Sequence, residues 1–202
     1  MTIIKDYVKV LKCCGPFVDF ATVNVSSPNT ENLRNLQEKS SLNNLLYQVM
    51  SSRENLKNKV PIFLKIAPDL SLNQIDDISE IALKMQIDAV VATNTTLDHQ
   101  GLKSYVKNKQ GGLSGRPLFS KSTWVLANLS RRLEKRIPLI GVGGIASAQD
   151  AYIKLLAGAS AVQLYTGLVY NGMGLVTKIN TGLSEILSQQ NKAHISDIVG
   201  SE

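Results

Sequence analysis

The sequence predicts an α/β fold built on a parallel sheet, and three observations carry that expectation. Short β-rich runs alternate with longer amphipathic stretches, which is the order of strand and crossover helix. The runs are apolar almost throughout, as expected of strands buried on both faces. Each run also ends in polar residues or glycines, on the side where parallel α/β folds place their ligands.

Taken in order, the predicted strands are Phe20 to Val25, Pro61 to Ile66, Ala89 to Thr93, Pro138 to Val142 and Ala161 to Tyr165. In the stretch LSLNQIDDISEIALKM, the residues Leu72, Ile75, Ile78, Ile81, Ala82 and Met85 form one apolar stripe. Asp76, Asp77 and Glu80 lie opposite, so the segment reads as a helix lying on a sheet. Similar stretches run from about Ser40 to Lys57, Ser122 to Lys135, Ser147 to Ala157 and Leu175 to Gln189, giving five strand-then-helix units. Between the third strand and its helix, Leu97 to Pro117 forms a polar connection long enough to suggest a functional or locally structured loop.

With 202 residues and 44% hydrophobic content, the chain is expected to form one domain spanning residues 1–202, at roughly 150 residues per domain. Lys5, Asp6, Lys9 and Lys12 interrupt the N-terminal stretch, which therefore reads as neither a secretory signal nor a membrane span. Adjacent Cys13 and Cys14 suit neither a disulfide nor a zinc site, and a reducing compartment is the simplest inference. The net charge of +6 suits anionic ligands. The basic cluster Arg131, Arg132, Lys135 and Arg136 is broken by Glu134 and lacks interleaved aromatics. It reads as a solvated helix face ahead of a nucleic-acid or anionic-lipid patch.

The strand ends hold the candidate chemistry. VNVSSPNT, residues Val23 to Thr30, follows the first strand and is either a polar turn or a substrate loop. Lys65 stands inside the apolar PIFLKIAP, and it either snorkels from a strand end or pairs with an anion. Gly143 and Gly144, followed by Ser147 as a helix cap, form a turn whose bare amides suit a phosphate. QGGLSGRP, residues Gln110 to Pro117, is a glycine turn that could add Ser114 and Gly115 to the same anion site. His99 and His194 have no partner at metal-ligand spacing and read as surface residues, while Trp124 and the tyrosines read as packing residues.

In this order, NVSSPNT, FLKIAPDL, VVATNTT, GGLSGRPL, PLIGVGGI and GASAVQLYTGL closely resemble dihydroorotate dehydrogenases of the quinone-reducing class, from about Phe20 to Gly174. The resemblance implies an FMN-dependent (β/α)₈ TIM barrel that oxidises dihydroorotate to orotate in pyrimidine biosynthesis. By position it implies Ser27 as the base that removes the C5 proton, while hydride leaves C6 for flavin N5. Serine at this position, where the soluble class has cysteine, points to quinone as acceptor. Thr30 matches a proton-relay threonine, and Lys65 matches the lysine beside the flavin N1 and O2 edge. Asn24, Asn29, Asn94 and Thr95 match orotate ligands. Asn24 and Lys65 also stand with the expected FMN contacts, which are Thr93, Ser114, Gly115, Gly143, Gly144, Leu164, Tyr165 and Thr166. A serine is a poor base by itself, so its surroundings must assist it.

Only five strands are legible where a full barrel has eight. The chain is therefore expected to be the C-terminal part of such a barrel, opening on the helix before the family's fourth strand. Three strands, the membrane-associating helices, a substrate lysine and the quinone tunnel would then lie elsewhere. The intact family enzyme is expected to be peripheral to a membrane, and this chain, without an anchor, to be soluble or cytoplasmic. Two other readings stand beside this one: an inactive or complementation-dependent half-barrel, and an FMN-barrel oxidoreductase with another substrate. An open five-stranded sheet would expose edges and apolar surface. The chain alone is thus expected to be unstable, to bind FMN weakly if at all and to lack quinone reductase activity. A full yellow flavin band in its visible spectrum would refute this.

Overall fold

The computed structural model describes residues 2–100, 102 and 110–201, so part of the expected Leu97 to Pro117 connection lies outside the described residues. The main elements are α1 (Thr2–Cys14), β1 (Ala21–Asn24), α2 (Lys39–Glu54), β2 (Ile62–Ile66), α3 (Leu72–Met85) and β3 (Ala89–Ala92). They continue with α4 (Phe119–Leu133), β4 (Leu139–Val142), α5 (Ala148–Leu156), β5 (Ala159–Gln163), α6 (Thr166–Asn171) and α7 (Gly174–Gln189). All five expected strands and their helices are present, with ends shifted by a few residues.

The sheet runs β1-β2-β3-β4-β5 and every pair is parallel. This sequential order never reverses, as it would in a doubly wound sheet, so successive crossovers place their helices on one convex face. Five strand-helix units arranged this way form an arc of a (β/α)₈ barrel.

Packing follows from strand alternation. On β2, Ile62, Leu64 and Ile66 are fully buried against the helices, while Phe63 and Lys65 point to the concave side and stay half-exposed. The main core joins these residues to Leu42, Leu45 and Leu46 of α2, Ile75 and Ile78 of α3, and Val125, Leu126 and Leu129 of α4. A second cluster packs Ala151 and Leu155 of α5 against Leu175, Ile179 and Leu183 of α7.

The expectation of strands buried on both faces holds only for β3. The concave face of β1 and β5 is largely exposed, because no described element covers it. Phe20 remains 50% exposed even though its ring stacks on Phe63 at 4.8 Å.

Three other expectations need correction. The fifth strand is Ala159–Gln163, not Ala161 to Tyr165: Gly158, at φ 108°, turns the chain directly out of α5, and Tyr165 already caps α6. Trp124 is 46% exposed on α4, and Tyr47, Tyr165 and Tyr170 are more exposed still, so these aromatics do not pack in the core. His99 is half-buried, with Nε2 3.2 Å from the Gly111 carbonyl oxygen, and so is a loop contact in place of a free surface residue.

Local signals set the helix ends. Ser71 accepts from the Gln74 amide at 3.3 Å and Gln74 Oε1 accepts from the Ser71 amide at 2.9 Å, a reciprocal cap that starts α3. Substituting Ser71→Ala should lower the unfolding free energy by about 1 kcal/mol in urea melts. An unchanged midpoint would show that the cap carries no stability.

Candidate active site

Parallel register brings the five carboxyl ends to one rim. Asn24 pairs in register with Lys65, Lys65 with Val91, Ala92 with Gly141, and Val142 with Gln163. The segments after β3, β4 and β5, with Lys65 of β2, line a cleft of about 1010 Å³. Lys65, Thr93, Asn94, Thr95, Ser114, Gly115, Gly143, Gly144, Leu164, Tyr165 and Thr166 all line it. Asn24 at the end of β1, and Ser27, Asn29 and Thr30 on the loop after it, lie outside the lining residues.

The β1 loop is tied to the cleft through Ser26, which is fully buried. Its hydroxyl donates to Asn24 Oδ1 at 2.7 Å and accepts from Asn94 Nδ2 at 3.0 Å, linking the ends of β1 and β3. Ser27 Oγ is half-buried and accepts from the Asn29 amide at 3.3 Å. Asn29 and Thr30 are exposed, and the Thr30 carbonyl accepts from the Leu33 amide.

Lys65 is half-buried on the concave face, and burial holds its pKa below the ordinary lysine value. Among the described residues its ammonium has no ion-pair partner. An anion beside it would restore what desolvation costs.

Glycines set how closely the rim loops approach. A Cβ at Gly112 would lie 1.8 Å from Thr95 Oγ1 and 2.9 Å from Pro28 Cγ, so the QGG segment folds down onto both the β1 and β3 loops. Leu113 and Thr96 exchange backbone hydrogen bonds at 2.7 and 3.1 Å, which anchors that segment. Farther along, Thr166 Oγ1 donates to Ser114 Oγ at 2.8 Å, joining the β5 end to the same loop.

Several residues that sequence reasoning missed hold these loops. Arg34 donates to the Ser26 carbonyl at 3.2 Å, to Asp69 Oδ2 at 2.9 Å and to the Thr95 carbonyl at 2.8 Å, clamping the β1 and β3 loops together. Asp69 also accepts from Thr96 Oγ1, the Leu97 amide and Lys121, whose ammonium reaches Asp98 as well. Asp69 follows the end of β2 closely, but Arg34 lies well past the end of β1 in a short helical turn, Leu33–Gln37, so the sequence carried little signal for this network. Lys154 was missed too, although it shares a helical stripe with buried Ala151 and Leu155.

The chain matches the family model described as dihydroorotate dehydrogenase over residues 1–187. It belongs to the dihydroorotate dehydrogenase family. A relative from Cereibacter sphaeroides, named dihydroorotate dehydrogenase (quinone), is 54% identical over 195 residues, covering 96% of this chain and 55% of its own length. One of the same name from Parvibaculum lavamentivorans is 47% identical over 200 residues, covering 98% and 57%. A crystal structure of a ligand-free dihydroorotate dehydrogenase from Eimeria tenella superposes with a TM-score of 0.94 at 33% identity, covering 98% of this chain and 59% of that one. The chain thus spans a little over half the length of the curated relatives it matches.

Burial pushes the Asp69 carboxyl up, but hydrogen bonds from Thr96, the Leu97 amide, Arg34 and Lys121 outweigh it, and its pKa falls below the ordinary value of 3.8. The unfolded chain therefore binds this proton first as pH falls, so Asp69 stabilises the fold above pH 3.8 and loses that contribution as pH drops through its lower folded value. The stability difference between the parent and Asp69→Asn should shrink from pH 6 toward strongly acid pH. Urea midpoints that differ equally across that range would refute it.

Proposed function

We propose that this chain forms the cofactor and substrate arc of an FMN-dependent dihydroorotate dehydrogenase that oxidises dihydroorotate to orotate, passes electrons to a quinone and serves pyrimidine biosynthesis. Residues 1–202 act as one domain in this reading. The observation that carries it is the convergence on one rim of the asparagine-rich Ser27 loop, the Asn94–Thr95 end, and a glycine-rich cleft containing a desolvated lysine.

The residues present fit FMN. The cleft is at the upper end of the roughly 300–1,000 Å³ usual for ligand sites, ample for a flavin nucleotide. Gly143 and Gly144, both at positive φ, offer backbone amides to a phosphate, and the paired hydroxyls of Ser114 and Thr166 suit phosphate or ribityl oxygens. Lys65 lines the same cleft from β2, where its charge suits the electron-accepting end of the flavin. When bound, FMN supplies the hydride acceptor.

The chain's own groups supply the rest. Ser27 takes the C5 proton, and the Asn29 amide donating to its Oγ favours the form that has lost its proton. Thr30, three residues along the same loop and exposed, passes the proton to solvent. Asn24, Asn29, Asn94 and Thr95 each present donors and acceptors suited to the carboxylate and imide of a planar substrate. Ser26 and Arg34 hold these side chains in register.

The exposed concave face and the unpaired edges of β1 and β5 favour a requirement for further polypeptide to cover the substrate, as in a half-barrel completed by an N-terminal half. Peripheral membrane association belongs to that whole protein; no helix among the described residues is long and apolar enough to cross a membrane.

Supplying the corresponding N-terminal half should restore orotate formation with dihydroorotate and a soluble quinone. Ser27→Ala should then lower kcat by about 10²–10⁴-fold while FMN binding is retained. Undiminished turnover in Ser27→Ala would remove the assigned base, and failure of orotate to protect the assembly against thermal unfolding would favour a different substrate.

A further inference from the structure

Lys154, on α5, plays no part in the chemistry above, yet it is among the largest fully buried side chains in the protein. Its Nζ donates to Ser122 Oγ at 2.6 Å and lies 5.0 Å above the Phe119 ring. Burial pulls its pKa down to about 7, and the Asp150 carboxylate one turn earlier acts in the opposite sense. An amine in the core is costly unless partnered, and an apolar side chain of similar size is often as stable or more so. Filling space therefore does not account for a lysine here.

Its two contacts are the seat of the glycine turn. A Cβ at Gly143 would come 2.7 Å from Ser122 Oγ, and one at Gly144 would come 2.5 Å from Phe119 Cβ. The turn thus rests directly on the first turn of α4, with Lys154 behind it and the cleft in front.

Ser122 Oγ has one hydrogen to give, and the Phe119 and Gly143 carbonyl oxygens stand 3.1 and 3.2 Å away. With an ammonium donating into its lone pair, the hydroxyl directs that hydrogen to the carbonyls. The Gly143 C=O and the Gly144 N–H share one planar trans peptide and point in opposite directions. Holding the carbonyl toward α4 therefore turns the Gly144 N–H the other way. That buried N–H has no backbone partner among the described residues, as expected of a donor kept for a ligand.

We propose that Lys154 is a positioning residue of the anion-binding turn: it fixes the Ser122 hydroxyl, which holds the Gly143 carbonyl and thereby aims the Gly144 amide into the cleft. The ligand part of this inference rests on the reading of the turn as a phosphate cradle. The orientation of the turn itself does not.

The test uses the chain labelled with ¹⁵N-glycine and completed by its unlabelled N-terminal half, free of FMN, in the parent and in Lys154→Met and Ser122→Ala. The Gly144 order parameter should fall from about 0.85 to below about 0.6 in both variants, while Gly172 and Gly174, remote from α4, keep their parent values. A Gly144 as rigid in both variants as in the parent overturns the proposal. Should Lys154→Met fail to fold, Ser122→Ala decides alone, because it leaves the lysine in place.

In the chain completed by its N-terminal half, FMN affinity should drop about tenfold in either variant, as for one lost hydrogen bond, and riboflavin affinity should not change. A loosened turn in a protein that binds FMN and riboflavin equally well keeps the role of Lys154 and overturns the phosphate reading instead.

Discussion

Parallel pairing of neighbouring strands in strict chain order is the constraint on which the rest of this structure depends. Because each strand lies beside its predecessor and runs the same way, every crossover helix falls on one face and every carboxyl end on one rim. The convex side becomes a sealed core of Leu, Ile and Val residues. The rim collects groups that would be costly in that core: amides, hydroxyls, one desolvated ammonium and bare glycine backbone.

Separate loops become one site only through contacts between them. Ser26 bridges Asn24 and Asn94, Arg34 binds carbonyls of both the β1 and β3 loops, and Asp69 gathers Arg34, Thr96 and Lys121. Glycine permits the closest approaches, at Gly112 against Thr95 and at Gly144 against Phe119, where any side chain would clash. The loops that carry chemistry are thus held by residues that carry none.

Membership of the dihydroorotate dehydrogenase family and the open concave face bear on the same point from two sides. Relatives align over nearly all of this chain, yet the chain spans little more than half of them. The rim with its cleft is internally braced by hydrogen bonds within the described residues. The concave faces of β1 and β5 have no comparable bracing: Phe20 stays half-exposed and β5 shows its side chains to solvent. A rim can therefore be well ordered on an arc whose interior is not closed, because helix packing on the convex face supplies the stability.

By itself the sequence determined the strand and helix order, the parallel sheet, and the polar ends that hold Ser27, Lys65, Asn94 and the Gly143–Gly144 turn. These follow from periodicity and from glycine and proline punctuation, which are local properties of the chain. Tertiary structure alone decided the rest. The one-sided burial of β1 and β5 depends on which faces meet helices, and the early end of β5 depends on where α6 begins. Arg34, Asp69 and Lys121 act across 35 to 61 residues of chain in their contacts with Asp69 and Thr95, a separation that no sequence window spans. Lys154 looked like an ordinary helix lysine until packing placed it against Ser122, 32 residues away, because burial is a property of the assembled layers and not of the helix that carries the residue.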